Sequence, residues 1–310
     1  MALSLDGKKV WVAGHNGMVG SAIMRQLSNY DVKLLTVDRE QLDLRDQEHT
    51  KAWLFDNKPD LIFLVAATVG GIVANDTYPS SFLYDNLMIE ANVINAAAST
   101  KVEKLVFVAS SCIYPKLAEQ PIKEDALLTG PLEPTNEWYA IAKIAGIKLC
   151  QSYRKEFDLN FVSAMPTNLY GPNDNFDLET SHVLPALMHK IHLAKINNES
   201  QVRIWGTGKP RRELMHVDDC AEALVHIMKN YDDYEPINIG QGFDMEISEI
   251  AQRLAKILDW QGEFVYDKSK PDGSPRKLLD TSKLEALSWQ SKIDFDQGVS
   301  DLYKWFLENH

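Results

Sequence analysis

The stretch VWVAGHNGMVGSAIMRQL, residues 10–27, decides the fold. It opens as a short apolar strand and closes as an amphipathic helix, with Gly14, Gly17 and Gly20 in the turn between them. Glycines at this spacing let the backbone turn tightly and approach a pyrophosphate, whose charge then meets the N-terminus of the helix. The glycines alone are only moderately specific. Their strand–turn–helix setting predicts a nucleotide site that also includes Asn16, Met18 and Val19.

Working outward, KKVWVA (8–13), VKLLTV (32–37), LIFLVAA (61–67), KLVFVAS (104–110) and FVSAMPT (161–167) read as buried strands rich in Val, Leu, Ile and Phe. Helical segments separate them, so repeated βα units predict an α/β chain with a Rossmann-type, doubly wound parallel sheet. Beyond about residue 170 the texture becomes loop-rich. We expect a nucleotide-binding domain over 1–170, a smaller substrate-binding domain over 171–310, and return elements around 210–245, with INIG (237–240) rejoining the main sheet.

The 310 residues are 45% apolar and 25% charged, ordinary values for a globular protein. No run approaches the roughly 20 apolar residues of a membrane span. The N-terminus runs into the first strand without the apolar core of a signal peptide. Three cysteines, Cys112, Cys150 and Cys220, fit a reducing, cytoplasmic setting. A net charge of −12 argues against a nucleic-acid binder, so an anionic substrate must meet local cations instead. Cys112, His182, His189 and His192 lack the paired spacing of a structural zinc site, and no metal is expected.

The second strand ends in TVDRE (36–40), where an adenosine ribose lies in this kind of fold. An acid there favours the 2′-hydroxyl of NAD and a base the 2′-phosphate of NADP; Asp38 and Arg39 stand side by side, and the pattern is ambiguous. Asp43 and Leu44 follow, facing an adenine or forming a capped loop. In NEWYAIAKIAG, Tyr139 and Lys143 stand four apart and so share one helical face. An ammonium so placed lowers a phenol's pKa, which predicts a usable acid/base. Y-x-x-x-K recurs by chance, but here Ser110 at the end of the fourth strand can reach the same substrate oxygen.

On AGHNGMVGSAI, VGGIVAN, SSCIYPKLAEQPIKE, LEPTNEWYAIAKIAGIKLC, MPTNLYGPNDNF, SHVLPAL, WGTGKPRREL, HVDD and KPDGSPRKLLD, the chain resembles the extended short-chain dehydrogenase/reductases acting on nucleotide sugars. Within them it is most similar to the NADP(H)-dependent GDP-4-keto-6-deoxy-mannose 3,5-epimerase/4-reductases, and the likeness spans nearly the whole length. It implies that Ser110, Tyr139 and Lys143 form a reductase triad and that Cys112 and His182 form an epimerase acid/base pair. It also implies cofactor contacts at Ser111, Pro166, Asn168 and Leu169, and contacts to a GDP-sugar at Lys190, Trp205, Arg212 and Asp272. Lys277 is a further candidate cation for the diphosphate.

The implied reaction accounts for the residue types. A C4 ketone acidifies the C3 and C5 protons, so both centres can invert through an enolate if an acid and a base reach the ring. Thiol and imidazole have unperturbed pKa values of about 8.5 and 6.5, near enough to neutrality to exchange protons. Nucleotide-sugar 4,6-dehydratases carry an Asp-Glu pair where this chain has Ser111 and Cys112, and simple 4-epimerases need neither thiol nor histidine. A reductase or epimerase on another 4-keto nucleotide sugar is the alternative within the fold. A non-catalytic nucleotide-binding protein would need none of the five residues together.

Two positions depart from the family pattern. Lys190 stands where a bacterial member carries arginine, keeping the charge and losing the fork. Asn16 stands where NADP-using members often carry arginine; with Asp38 and Arg39 this predicts use of NADP(H) with NAD(H) tolerated. A homodimer through NLMIEANVINAAAS (86–99) and YAIAKIAGIKLCQSYRKEF (139–157) is expected from the family.

Overall fold

The computed structural model describes residues 2–178, 180–270 and 272–310, and the side chains of all of these except Ile72. Glu179, and Pro271 within KPDGSPRKLLD, lie outside the described residues. In chain order the nucleotide half contains β1 (Lys9–Ala13), α1 (Met18–Leu27), β2 (Lys33–Leu35), α2 (Gln47–Asn57), β3 (Leu61–Leu64), α3 (Ile72–Thr77), α4 (Pro79–Ser99), β4 (Lys104–Val108), α5 (Glu137–Phe157) and β5 (Phe161–Pro166). There follow β6 (Asn168–Tyr170), α6 (Val183–Ile196), β7 (Gln201–Trp205), β8 (Arg211–Arg212), β9 (Leu214–His216), α7 (Val217–Asn230) and β10 (Ile237–Ile239). The chain ends with β11 (Met245–Glu246), α8 (Ile247–Ile257), β12 (Glu263–Asp267), β13 (Arg276–Lys277), α9 (Ser282–Ala286) and α10 (Phe295–Asn309).

Six strands form the central sheet in the order β10-β5-β4-β3-β1-β2, and every pairing within it is parallel. Alternation along each strand feeds two cores. Val10 and Val12 of β1, Leu61 and Phe63 of β3, and Val106 and Val108 of β4 pack with α1 and α7. Trp11 and Ala13, Ile62 and Leu64, and Leu105 and Phe107 face α4 and α5 on the other side. A third core gathers α6, α8 and α10 around Tyr170, Phe176 and Phe306. Among the described residues no helix is long and apolar enough to cross a membrane.

The strand order reverses between β1 and β3, so their carboxyl ends diverge and open a crevice. The glycine turn leads out of β1 into this crevice. Gly14 has φ +98°, and a Cβ there would lie 2.7 Å from the backbone nitrogen of Ala66, just after β3. At Gly20 a Cβ would lie 2.1 Å from the Gly14 carbonyl oxygen, so α1 packs directly on its own turn.

Two elements differ from expectation. The apolar run 32–37 yields a strand of only Lys33–Leu35, because β2 is an edge strand paired on one side, and Val37 turns into the crevice instead. The helix expected over 86–99 begins at Pro79, whose fixed φ suits a first helical turn.

Gly20→Ala tests the turn. The added methyl meets backbone rather than a movable side chain, so a loss of about 1–3 kcal/mol is expected in chemical denaturation. An unchanged unfolding midpoint would show that the turn relaxes freely.

Candidate active site

Because β4 ends at Val108, the chain leaves the sheet at its carboxyl edge with Ser110 extended, and a 3-10 turn covers Ser111–Ile113. The Ser110 hydroxyl accepts a hydrogen bond from the Cys112 N–H at 3.4 Å and caps this turn. Cys112 is thereby tucked under the strand end, 5% exposed. On α5 the i, i+4 spacing puts Tyr139 and Lys143 on the face toward β4, as expected. Lys143 Nζ donates to the Val108 carbonyl at 3.2 Å and lies 5.6 Å from the centre of the Tyr139 ring. It also pairs with the Glu90 carboxylate of α4 at 2.9 Å.

His182 arrives from the other half of the chain. It sits at the N-cap of α6, and the loop before it is pinned where the Gly71 N–H donates to the Thr180 carbonyl at 2.7 Å. A Cβ on Gly71 would come within 2.5 Å of the Ser181 carbonyl oxygen, so this approach needs a glycine.

Two crevices meet at these residues. The first, about 420 Å³, follows the carboxyl ends of β1 and β3 and is lined by Gly14, Asn16, Gly17, Met18, Val19, Gly20, Arg39, Asp43, Leu44, Pro166, Asn168 and Leu169. All twelve are residues the sequence assigns to the cofactor. The second, about 280 Å³, lies against α6, β7 and β8 and is lined by Cys112, Lys190, Trp205, Arg212, Asp272 and Lys277. Ser110, Tyr139 and His182 line both, whereas Lys143 lines only the first and Cys112 only the second.

Two expected cofactor residues line neither crevice. Ser111 is buried in the 3-10 turn. Asp38 points to solvent, its carboxylate accepting from Asn16 Nδ2 at 2.7 Å with His15 Nε2 at 3.4 Å. Arg39, one residue on, faces the first crevice.

The second crevice is rich in cations. The Arg212 guanidinium donates to the carbonyls of Arg211 at 2.8 Å and Ser274 at 2.7 Å, which orients it without neutralising it. Asp272 is committed to Thr207, accepting from its N–H at 2.7 Å and its hydroxyl at 2.9 Å. Lys190 Nζ lies 5.5 Å from the centre of the Trp205 ring, a cation–π arrangement at the crevice mouth. Arg211, in contrast, turns away to Asp244.

Burial governs the titration of these groups. It pushes the Cys112 thiol up, against the pull of Lys277, the Ser110 hydroxyl and Lys143. It pushes the Tyr139 phenol well above its ordinary value, with the Cys112 thiolate and the Glu90 carboxylate adding to the rise. The sequence predicted the reverse for Tyr139: a neighbouring ammonium should lower it. Desolvation wins because Lys143 already carries Glu90 as its counter-charge. Burial and then Lys277 hold His182 below the usual histidine range, which favours its neutral imidazole. Lys277, Lys190 and Arg212 are all lowered, burial being the first cause in each.

Residues 10–240 match the NAD dependent epimerase/dehydratase family. The chain belongs to that family. Among its relatives, the GDP-L-fucose synthase of Sinorhizobium fredii is 54% identical over 305 residues, 98% of this chain and 97% of the relative. A GDP-6-OMe-4-keto-L-xylo-heptose reductase from C. jejuni superposes with a TM-score of 0.95 at 34% identity, over 100% of both chains. A GDP-L-fucose synthetase from Naegleria fowleri bound to NADP gives a TM-score of 0.91 at 30% identity, over 99% of this chain and 97% of that one.

Sequence reading of this epimerase/dehydratase family member missed Asn86 and Glu90. Both are buried polar residues on α4, one helical turn apart. Asn86 accepts from the Thr68 N–H at 2.9 Å and donates to its carbonyl at 3.0 Å, bracing the 65–70 loop of the first crevice. The available signal was a pair of polar residues at i, i+4 on a helix that is otherwise apolar on that side.

The raised thiol can be tested by alkylation. Iodoacetamide at about pH 7.5 is expected to modify Cys112 at least about tenfold more slowly than free cysteine, the rate still climbing as pH passes the ordinary thiol range. Peptide mass spectrometry reads the site, and reaction at the free-thiol rate would show an activated thiolate instead.

Proposed function

We propose that this chain converts GDP-4-keto-6-deoxy-D-mannose to GDP-L-fucose, inverting C3 and C5 and then reducing C4 with NADPH. The observation that carries this reading is the junction: Ser110, Tyr139 and His182 line both crevices, and Cys112 lies just inside the second. A hydride acceptor held there touches the reductase and epimerase groups together. The similarity to GDP-L-fucose synthases over nearly the full length supports it.

The first crevice suits a dinucleotide. Gly17 caps α1 without a side-chain hydrogen bond, which leaves the helix N–H groups free for a pyrophosphate. Arg39 faces the place of a 2′-phosphate, while Asp38 is turned aside by Asn16. NADP(H) is therefore the cofactor, with NAD(H) tolerated more weakly. When bound, it supplies the hydride for C4.

The protein's own groups do the rest. Ser110 and Tyr139 donate to the C4 oxygen while C3 and C5 are enolised. Cys112 and His182 remove and return the ring protons from within the second crevice. Tyr139 then gives the reduced C4 oxygen its proton, and Lys143 compensates the phenolate left behind. Lys190, Arg212 and Lys277 meet the diphosphate, with Trp205 and Asp272 toward the GDP end. We assign nucleotide binding chiefly to 1–170 and substrate binding chiefly to 171–310.

We further infer a cytoplasmic homodimer. Three free cysteines fit a reducing compartment, and exposed Tyr84 on α4 with Trp138 and Ile141 on α5 offer an apolar surface. Sedimentation at a mass near 35.1 kDa, that of one chain, would exclude the dimer.

Incubation with GDP-4-keto-6-deoxy-D-mannose and NADPH should oxidise the cofactor and yield GDP-L-fucose; no oxidation would sink the reading. The likeness to the GDP-heptose reductase favours a second reading, reduction of another GDP-4-keto sugar. Faster turnover of such a sugar would favour it. Cys112→Ser is expected to abolish solvent deuterium incorporation at C3 and C5 by about 10²-fold or more, with NADPH binding retained. Unchanged exchange would remove the thiol from the chemistry. Arg39→Ala should lower kcat/KM for NADPH by about 10–100-fold and for NADH much less. An equal fall for both would place the 2′-phosphate elsewhere.

A further inference from the structure

Glu90 lines neither crevice, yet it is 2% exposed and its Oε1 lies 2.9 Å from Lys143 Nζ, itself 1% exposed. A charge this deep persists only beside a counter-charge. Neither oxygen of Glu90 accepts an aligned hydrogen bond among the described residues, so the Lys143 ion pair is its support there. The space for the carboxylate is also built in: a Cβ on Gly146 of α5 would lie 2.6 Å from Glu90 Oε2 and 2.5 Å from the Phe107 ring.

An ammonium has three N–H donors. One goes to the Val108 carbonyl and one points at Glu90, which leaves one for the crevice that Lys143 lines. We infer that Glu90 is a positioning residue: its carboxylate holds the Lys143 ammonium against the end of β4, at the wall of the cofactor crevice, and offsets the charge that Tyr139 would otherwise face. It acts through Lys143 and touches neither cofactor nor substrate. The inference deepens the reductase reading above and rests on it for its kinetic consequence only.

The titratable groups around the pair are Tyr139 and Cys150 from α5 and Cys112 from the 3-10 turn. β4 contributes Phe107 and Val108, and β5 contributes Ser163 beside Cys150, none of them charged. Glu90 is therefore the anion that balances Lys143. Burial raises its carboxyl to about 7, so the balance is complete above neutrality and weakens as pH falls through that value.

Glu90→Gln keeps the shape and removes the charge. The ammonium left alone either stays charged, drawing the Tyr139 pKa down, or loses its proton at a lower pH than before. Either response moves the alkaline limb of kcat/KM with NADPH to lower pH, by about one unit or more. Glu90→Asp, which keeps the charge one methylene further back, should fall between Gln and wild type.

A readout independent of turnover is the phenolate of Tyr139, measured as the ultraviolet difference titration against Tyr139→Phe. It should appear at lower pH in folded Glu90→Gln than in wild type, or be lost from the shared transition if Lys143 deprotonates first. An identical titration and an unmoved limb would overturn the role. If Glu90→Gln does not fold, Glu90→Asp decides alone: displacement of the titration supports the role and coincidence with wild type overturns it. A wild type that ignores the proposed sugar would defeat the functional reading while the titration still judges Glu90.

Discussion

The Lys143 ammonium, fixed between the Val108 carbonyl and the Glu90 carboxylate, is the contact on which the site's alignment depends. It ties α5 to the end of β4 and to α4 at one buried point. Val108 is the last residue of β4 and Ser110 follows two residues later, so this tie also fixes how far Tyr139 stands from the Ser110 hydroxyl. Ser110 in turn caps the turn that tucks Cys112 into the second crevice. A shift of α5 along β4 would therefore disturb Tyr139, Ser110 and Cys112 together.

Desolvation then sets the resting charge of the site. The thiol, the phenol and the imidazole are all driven toward their neutral forms, and the nearby cations are weakened by the same burial. The chain as a whole carries −12, yet Lys190, Arg212 and Lys277 converge on one crevice. Local charge outweighs the global field at contact distance because screening cuts off interactions beyond about 10 Å. Under the substrate reading proposed above, a diphosphate entering there would meet all three of these cations, each weakened by burial.

Much of the fold was legible because a doubly wound sheet repeats a simple pattern. Apolar runs bounded by helices located five strands, and INIG located the sixth, β10, which lies beside β5. Run length misjudged β2, since apolarity does not reveal that an edge strand is short. Tyr139 and Lys143 could be placed on one face from spacing alone. The rise of the Tyr139 phenol could not be read there: it comes first from burial, with Cys112 and Glu90 adding to it, and Glu90, forty-nine positions before Tyr139, reads as a solvated surface carboxylate until its neighbours are known. The crossing of two crevices at Ser110, Tyr139 and His182 is tertiary and has no local sequence signature.

The Asp38–Arg39 pair shows how one contact resolves an ambiguity that composition leaves open. β2 ends at Leu35, so the loop that follows it, not strand alternation, sets where these two side chains point. Arg39 lines the first crevice and Asp38 does not, and Asn16 accounts for where Asp38 goes: its amide donates to the Asp38 carboxylate. Asn16 is therefore not idle. Under the cofactor assignment proposed above, it turns aside an acid that would otherwise stand nearer a 2′-phosphate. With that acid turned aside, Arg39 at the crevice wall is the basis of the proposed preference for NADP(H) over NAD(H).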